Sequence, residues 1–128
     1  MDNKELRRRT TEIAKDLIDY FGFKFISEDD IGDICIIKFE RSKLLSKKVW
    51  NILITDAKKL EKKEFLTDIK KSNTILFSVS EVPSTVSKQF PLWYDLKNLK
   101  CCNLLDHYSR DIWSFLYETW AVVCDAQD

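Results

Sequence analysis

The segment Asp33–Lys58, with the sequence DICIIKFERSKLLSKKVWNILITDAK, decides the fold because it has the pattern of a β-hairpin. Two runs rich in β-branched and apolar residues, Asp33–Glu40 and Val49–Thr55, predict a pair of strands. The polar and strongly basic segment Arg41–Lys48 lies between them and is expected to link the strands. Its midpoint falls between positions 44 and 45, so a hairpin that pairs symmetrically would turn there.

Symmetric pairing would bring two acidic residues together. The numbers of paired residues would then sum to 89, which places Asp33 opposite Asp56. Directly opposed residues project to the same face with Cβ atoms roughly 4.5–5.5 Å apart, and like charges there are destabilising. A bound divalent cation would offset this repulsion, and Lys58 is expected on the same face as Asp56. The alternative needs no ligand: Asp33 is solvated in the turn, and Asp56 caps the following helix near Lys59.

Composition predicts one globular domain over residues 1–128, because 45% of the chain is hydrophobic and 33% is charged. The net charge of zero argues against a protein that coats nucleic acid without specificity. Residues 38–71, however, carry 11 Lys and Arg against 5 Asp and Glu. This basic middle segment favours a phosphate-bearing ligand. The residues expected to bind nucleic acid are Lys43, Lys47, Lys48, Lys62 and Lys63.

The cysteines and the hydropathy pattern favour a cytoplasmic protein. No apolar run approaches the roughly 20 residues that a membrane-spanning helix needs. The first residues, MDNKELRRR, lack the apolar segment of a signal peptide. The four cysteines are therefore expected to be reduced thiols. Zinc binding is disfavoured because no C-x2-C pair occurs among the available ligands Cys101, Cys102, His107 and Cys124.

Apolar residues at three- and four-residue spacing predict three helices, over residues 3–21, 59–72 and 104–123. In the first helix, Asn3 is the expected N-cap and Gly22 the expected C′ residue. The cluster Arg7–Arg9 is expected to face solvent, with a phosphate contact as the alternative. The last helix has an unusually wide aromatic face, which predicts a homodimer or partner interface, with additional core packing as the alternative. The interface residues would be Trp113, Tyr117 and Trp120.

Short apolar runs predict three further strands. The first covers residues 23–27 and is followed by a turn at residues 28–32. The second, residues 73–80, is expected to be a buried central strand. Residues 81–89 are expected to form a loop, and residues 92–96 an edge strand that follows Pro91.

This order of elements is similar to the core of the PD-(D/E)xK nuclease superfamily, the fold of many restriction enzymes. The residues that carry the resemblance are Gly32-Asp33, at the head of one strand, and Asp56-Ala57-Lys58, at the tail of the next. The resemblance implies an α/β fold with a restriction-endonuclease-like αβββαβ core over about residues 3–97. A mixed central sheet would be flanked by helices, and a C-terminal helix would follow at about residues 104–123.

The resemblance also implies an activity, that of a metal-dependent phosphodiester hydrolase acting on nucleic acid. Asp33 and Asp56 would bind Mg²⁺ or Mn²⁺, and Lys58 would position the attacking water. The chain departs from the family pattern because no proline precedes Asp33 and because Asp stands at position 56 where Glu is commoner. A third acid is not assured in the first helix, where the choices are Glu12 and Asp16, and Asp30 is a possible substitute.

The acidic-x-Lys pattern is not specific, because it occurs five times in the chain. Only Asp56–Lys58 ends a strand whose hairpin partner begins with an acid, although Asp95–Lys97 also ends a predicted strand. Two alternatives to the enzyme stay open. One is a non-catalytic protein-interaction module on a similar α/β scaffold, such as a phage inhibitor or an immunity protein. The other is a subunit that binds nucleic acid without cutting it.

Overall fold

A computed structural model describes residues 2–43, 46–62 and 69–102, together with Phe115 and Thr119. Helix α1 spans Asn3–Tyr20 and precedes a sheet of six strands. The strands are β1 (Lys24–Ile31), β2 (Ile34–Lys43), β3 (Ser46–Thr55), β4 (Thr74–Ser78), β5 (Leu92–Asp95) and β6 (Lys100–Cys101). Between β3 and β4, the described residues form two 3₁₀ helices, Ala57–Lys62 and Lys71–Asn73, and the short helix α2 (Ser84–Ser87) precedes β5.

The sheet is mixed, and its strands follow one another in chain order. Strands β1, β2 and β3 form an antiparallel meander, whereas β4 and β5 run parallel to β3. Strand β6 is antiparallel to β5. The predicted α/β class with a mixed sheet is therefore confirmed. The carboxyl ends of β3, β4 and β5 meet at one edge of the sheet, and β2 begins at that edge.

The register of the β2–β3 hairpin is the one that the sequence predicts. Cys35 pairs with Ile54 and Ile37 with Ile52, so the numbers of paired residues sum to 89. The strands are longer than expected, because pairing continues through the basic segment as far as Lys43, which lies opposite Ser46. The segment predicted as a link is therefore mostly strand, and residues 44–45, between β2 and β3, lie outside the described residues.

Helix α1 ends close to where its sequence pattern predicts, but a different residue caps its start. The backbone N–H of Glu5 donates to the carboxylate of Asp2 at 2.7 Å, so Asp2 and not Asn3 is the N-cap. The helix ends at Tyr20, and Gly22 adopts a φ of +75°, which glycine tolerates at little cost.

Both faces of the sheet are covered by apolar packing. The face that carries alternate residues of β2 and β3 packs under α1, and its residues there are Cys35, Ile37, Phe39, Trp50, Ile52 and Ile54. The opposite face buries Ile34, Ile36, Leu53 and Leu76 against the 3₁₀ helix that follows β3 and against α2. Strand β4 is buried throughout, which confirms that it is a central strand.

Four of the predicted elements differ from the structure, and one of them, the loop predicted at residues 81–89, contains the short helix α2. The acidic residues Glu28–Asp30 belong to β1 and not to a turn, because an outer strand can expose acidic side chains to solvent. The turn that follows is at Gly32, whose φ is +63°. The predicted helix at 59–72 is two 3₁₀ helices in its described parts, with residues 63–68 outside the description. Strand β5 is not an outermost strand of the sheet, because the two-residue β6 pairs with it.

The predicted C-terminal helix at 104–123 lies mostly outside the described residues. Phe115 and Thr119 are helical and fully buried, and Phe115 packs against Phe77 and Tyr94 with ring centroids 5.6 and 4.9 Å apart. This part of the chain therefore contributes a side chain to the core. The predicted interface residues Trp113, Tyr117 and Trp120 lie outside the described residues. Among the described helices, none is long and apolar enough to cross a membrane.

Candidate active site

Asp33 and Asp56 lie at the same edge of the sheet. Asp33 immediately precedes β2, and Asp56 immediately follows β3, so the confirmed register extended by two positions places them opposite each other. Both residues line one cavity of about 320 Å³, together with Asn3, Lys4, Arg7, Lys59 and Val79. The structure thus brings together the two acids that the sequence predicts as a pair.

Asp33 is bound to a lysine. The Nζ of Lys59 donates a hydrogen bond to Oδ2 of Asp33, and both side chains are exposed to solvent. An exposed ion pair of this kind contributes only about 0–1 kcal/mol to stability. The contact therefore does little to hold the fold together, but it places an ammonium group beside one of the two acids.

Asp56 is held by the chain that surrounds it. The hydroxyl of Ser80 donates to Oδ1 of Asp56, and the backbone N–H of Lys58 donates to the same oxygen at 3.0 Å. The neighbouring turn is fixed by Ser78, whose buried Oγ accepts from the N–H of Ala57 at 3.0 Å and donates to the carbonyl of Ser80 at 2.7 Å. These bonds orient the Asp56 carboxylate at the edge of the sheet.

The turn after Asp56 decides which lysine enters the cavity. Strand β3 ends at Thr55, and a 3₁₀ helix begins at Ala57. The expected placement of Lys58 on the same strand face as Asp56 is therefore wrong. Lys58 is exposed and does not line the cavity, whereas Lys59 does. The catalytic role assigned to Lys58 stays a prediction, and Lys59 is the lysine that lines the cavity beside Asp33.

Helix α1 supplies two further cations, which the strand motifs do not predict. Lys4 and Arg7 line the cavity of the two acids and also a neighbouring cavity of about 490 Å³. A sequence signal for them exists, because Lys4, Arg7 and Thr11 recur at helical spacing along one side of the apolar stripe. Residues beside a buried stripe lie at the rim of the helix–sheet interface, where such cavities form.

No third acid completes the site among the residues that the structure describes. Glu12 and Asp30 line the neighbouring cavity and not that of Asp33 and Asp56, and Glu12 accepts a hydrogen bond from Arg8 at 2.8 Å. Asp16 is exposed on α1. Within the described ranges there is no group of three or more His, Cys, Asp or Glu side chains that could hold a metal ion.

The hairpin lysines lie at the other end of the sheet. Lys47 and Lys48 are exposed near the start of β3, and Asp56 is roughly 30 Å away at about 3.3 Å per residue. Lys43 ends β2 in the same region, Lys62 ends the first 3₁₀ helix, and Lys63 lies outside the described residues. In the described hairpin, Lys43, Lys47 and Lys48 therefore lie away from the two acids.

Asp95, the other acid of an acidic-x-Lys pattern at a strand end, has a structural role. Its side chain is almost fully buried and accepts from the N–H groups of Lys97 and Asn98 at 2.9 and 3.0 Å. It also accepts from the side-chain amide of Asn98 at 2.8 Å. These bonds stabilise the turn between β5 and β6 and account for the carboxylate without a ligand.

The described cysteines form no disulfide, in line with their expected state as thiols. Cys35 is buried between α1 and the sheet, and this burial raises the pKa of its thiol to about 11. Cys101 is half-buried and Cys102 buried, while His107 and Cys124 lie outside the description.

No protein-family model matches the chain, and comparisons with curated proteins and with solved structures find no match. The resemblance to PD-(D/E)xK nucleases therefore stays a prediction, and a functional assignment depends on the geometry of the site.

Proposed function

We propose that the chain is a metal-dependent phosphodiester hydrolase acting on nucleic acid, built on a restriction-endonuclease-like core. The observation that carries the proposal is the cavity that Asp33, Asp56 and Lys59 line together at one end of the β2–β3 hairpin. The topology also supports it. Helix α1, the antiparallel meander β1–β3 and the parallel β4 follow one another in the order that the predicted core requires, although 3₁₀ helices replace the described parts of its second helix.

The donor set fits Mg²⁺ or Mn²⁺. Mg²⁺ keeps several waters and is commonly held by one or two carboxylates together with the phosphates of a substrate. Asp33 and Asp56 supply two carboxylates at one cavity, and these are the residues that would hold the ion. When bound, such an ion polarises a phosphoryl oxygen and lowers the pKa of a coordinated water.

The chain's own residues would divide the remaining work. The ammonium of Lys59 is beside Asp33, where it can orient a water and offset negative charge that develops on the phosphate. Ser80 donates to Asp56 and restricts the rotation of its carboxylate. Asp56 is thus held in one orientation before substrate arrives, which lowers the cost of assembling the site.

A cleavage assay tests the proposal. Purified protein is incubated with end-labelled duplex and single-stranded DNA and RNA, in Mg²⁺, in Mn²⁺ and in EDTA. We expect cleavage only with metal, and a loss of about 100-fold or more in rate for Asp33→Asn and for Asp56→Asn. Asp29→Asn is the matched control, since Asp29 is an exposed acid of β1 that does not line the cavity. Cleavage that persists in EDTA, or an active Asp56→Asn, would contradict the proposal.

A second candidate function, a non-catalytic protein-interaction module, has its own support. Both carboxylates already have partners within the chain, because Asp33 accepts a hydrogen bond from Lys59 and Asp56 accepts one from Ser80. In addition β1, the outermost described strand on its side of the sheet, exposes Ile26 and other apolar residues. This candidate predicts no cleavage with any metal and a protein complex that Ile26→Lys disrupts without unfolding the chain. Salt-sensitive binding of nucleic acid without cleavage would indicate instead a binding subunit.

A further inference from the structure

Arg7 differs from the other arginines of its cluster in what it contacts. Arg8 donates to Glu5 and Glu12 at 2.7 and 2.8 Å, and Arg9 is 3.4 Å from Glu5. Within the described ranges Arg7 forms no ion pair, although it is half-buried and lines both cavities at the edge of the sheet. Two arginines of the cluster therefore pair with glutamates of the same helix, whereas Arg7 lines the cavity of the candidate site.

Lys4 accompanies Arg7 one helical turn earlier, and it too lines both cavities without an ion pair among the described residues. Side chains three apart on a helix are neighbours, so the two charges are close together. Two unpaired cations beside a cavity attract an anion, and the planar guanidinium of arginine matches the oxygens of a phosphate. Lys15, the other lysine of the neighbouring cavity, does not compete for such an anion, because it is bound to Glu28 at 2.6 Å.

The balance of charge at the site favours the same ligand. Three cationic and two anionic side chains line the cavity of Asp33 and Asp56. A divalent ion held by the two carboxylates would leave the cavity strongly positive. Both the ion and the cationic side chains would then attract a phosphodiester. The hairpin lysines Lys47 and Lys48 are too distant to contact the same phosphate, being roughly 25–30 Å along β3.

We propose that Lys4 and Arg7 bind a backbone phosphate of the substrate strand beside the two carboxylates. The strand would then run along the N-terminal half of α1 and not along the basic end of the hairpin. This inference rests on the proposed hydrolase function, because it assigns the substrate-binding side of that same site. The ligand class is a nucleic-acid strand recognised through its phosphates, without readout of its bases.

Binding is measured by fluorescence anisotropy of labelled single-stranded and duplex DNA at several NaCl concentrations. The measurements use an Asp33→Asn background in Mg²⁺, so that the strand is not cut. We expect Arg7→Gln to weaken binding by on the order of tenfold and to reduce the slope of log Kd against log salt by about one. Arg9→Gln is the matched control, since Arg9 is an exposed arginine of the same helix that lines neither cavity. Arg7→Lys should restore part of the salt slope.

The outcomes separate this inference from the proposed function. If the wild-type protein cuts nucleic acid and Lys47→Gln weakens binding while Arg7→Gln does not, the inference is overturned and the hydrolase stands. An equal effect of Arg7→Gln and Arg9→Gln would also overturn it, since only general charge would then matter. If the wild-type protein neither cuts nor binds nucleic acid, the proposed function has failed and the inference fails with it. Thermal melts of every variant verify that each one is folded.

Discussion

Lys59 donates a hydrogen bond to Asp33 although the two residues are 26 positions apart in the chain. The contact connects the 3₁₀ helix after β3 to the residue that begins the β2–β3 hairpin. Strand β3 ends at Thr55 and the 3₁₀ helix begins at Ala57. Because of this change of conformation, Lys59 and not Lys58 lines the cavity. The position of this lysine is the main difference between the site expected from sequence and the site in the structure.

Substitution of the two adjacent lysines distinguishes these two versions of the site. If the chain is a hydrolase, Lys59→Ala should lower the cleavage rate by about 100-fold or more, because the ammonium beside Asp33 is lost. Lys58→Ala should leave the rate within about twofold, since Lys58 is exposed outside the cavity. The free energy of unfolding should change by about 1 kcal/mol or less in both variants. If Lys58→Ala were inactive and Lys59→Ala active, the water-positioning role would belong to Lys58, as the Asp56-Ala57-Lys58 tripeptide predicts.

Ser78 and Ser80 are expected to differ in their effect on stability. Ser78→Ala removes the buried acceptor of the Ala57 N–H and should lower the free energy of unfolding by about 1–3 kcal/mol. Ser80→Ala removes a donor to Asp56 at a partly exposed site and should cost about 1 kcal/mol or less. Urea unfolding measures both values. Equal losses would mean that the turn after β3 does not depend on the Ser78 hydroxyl.

The thiol of Cys35 should respond to pH in a way that reports its burial. Its pKa is raised to about 11, so the neutral thiol is favoured in the folded state. The unfolded chain loses this proton at lower pH, and the stability that Cys35 contributes is therefore present below about pH 9 and lost as the pH rises toward 11. Between pH 9 and about 11, the wild-type free energy of unfolding should fall more steeply than that of Cys35→Ala.

Alkylation gives an independent measurement of the same burial. Native protein treated with iodoacetamide at pH 8 should be modified at Cys101, which is half-buried, and protected at Cys35, with peptide mapping as the readout. Both residues should react in urea. Equal labelling of the two thiols in the native protein would show that Cys35 is accessible to the reagent and contradict its burial.

The start of α1 offers a test of the capping assignment. Asp2→Ala should lower the free energy of unfolding by about 1 kcal/mol, because the N–H of Glu5 loses its acceptor. Asn3→Ala is the comparison, since Asn3 lies inside the helix and makes no cap bond, and we expect a change of about 0.5 kcal/mol or less. Thermal or urea denaturation compares the two. A larger loss from Asn3→Ala would indicate that Asn3 caps the helix in solution.

The hairpin could be predicted because its information is local. Apolar runs specify the strands β2 and β3, and symmetric pairing about the basic segment specifies the register, so Cys35 and Ile54 could be paired from sequence. The helix pattern around Leu17 and Ile18 was equally informative, because a buried stripe recurs at helical spacing.

The features that sequence did not predict depend on contacts between distant segments. The turn after Asp56 is stabilised by Ser78, which lies more than twenty residues later in the chain. The residues around Asp56 therefore do not by themselves predict where β3 ends. The acidic run of β1 has turn-like composition, yet pairing with β2 keeps it extended. The sequence places Arg7 beside the apolar stripe of α1, but only the folded structure shows that this side of the helix adjoins Asp33 and Asp56.

Phe115 is fully buried against rings that come from β4 and β5. A growing polypeptide therefore cannot complete this aromatic cluster until residue 115 has been synthesised and has left the ribosome. Until then, the apolar surface around Phe77 and Tyr94 lacks one of its covering side chains. Uncovered apolar surface of this kind is what makes partly folded chains prone to aggregate. This domain should accordingly reach its native packing only after Phe115 has emerged, and its nascent form should be a better chaperone substrate than the finished domain.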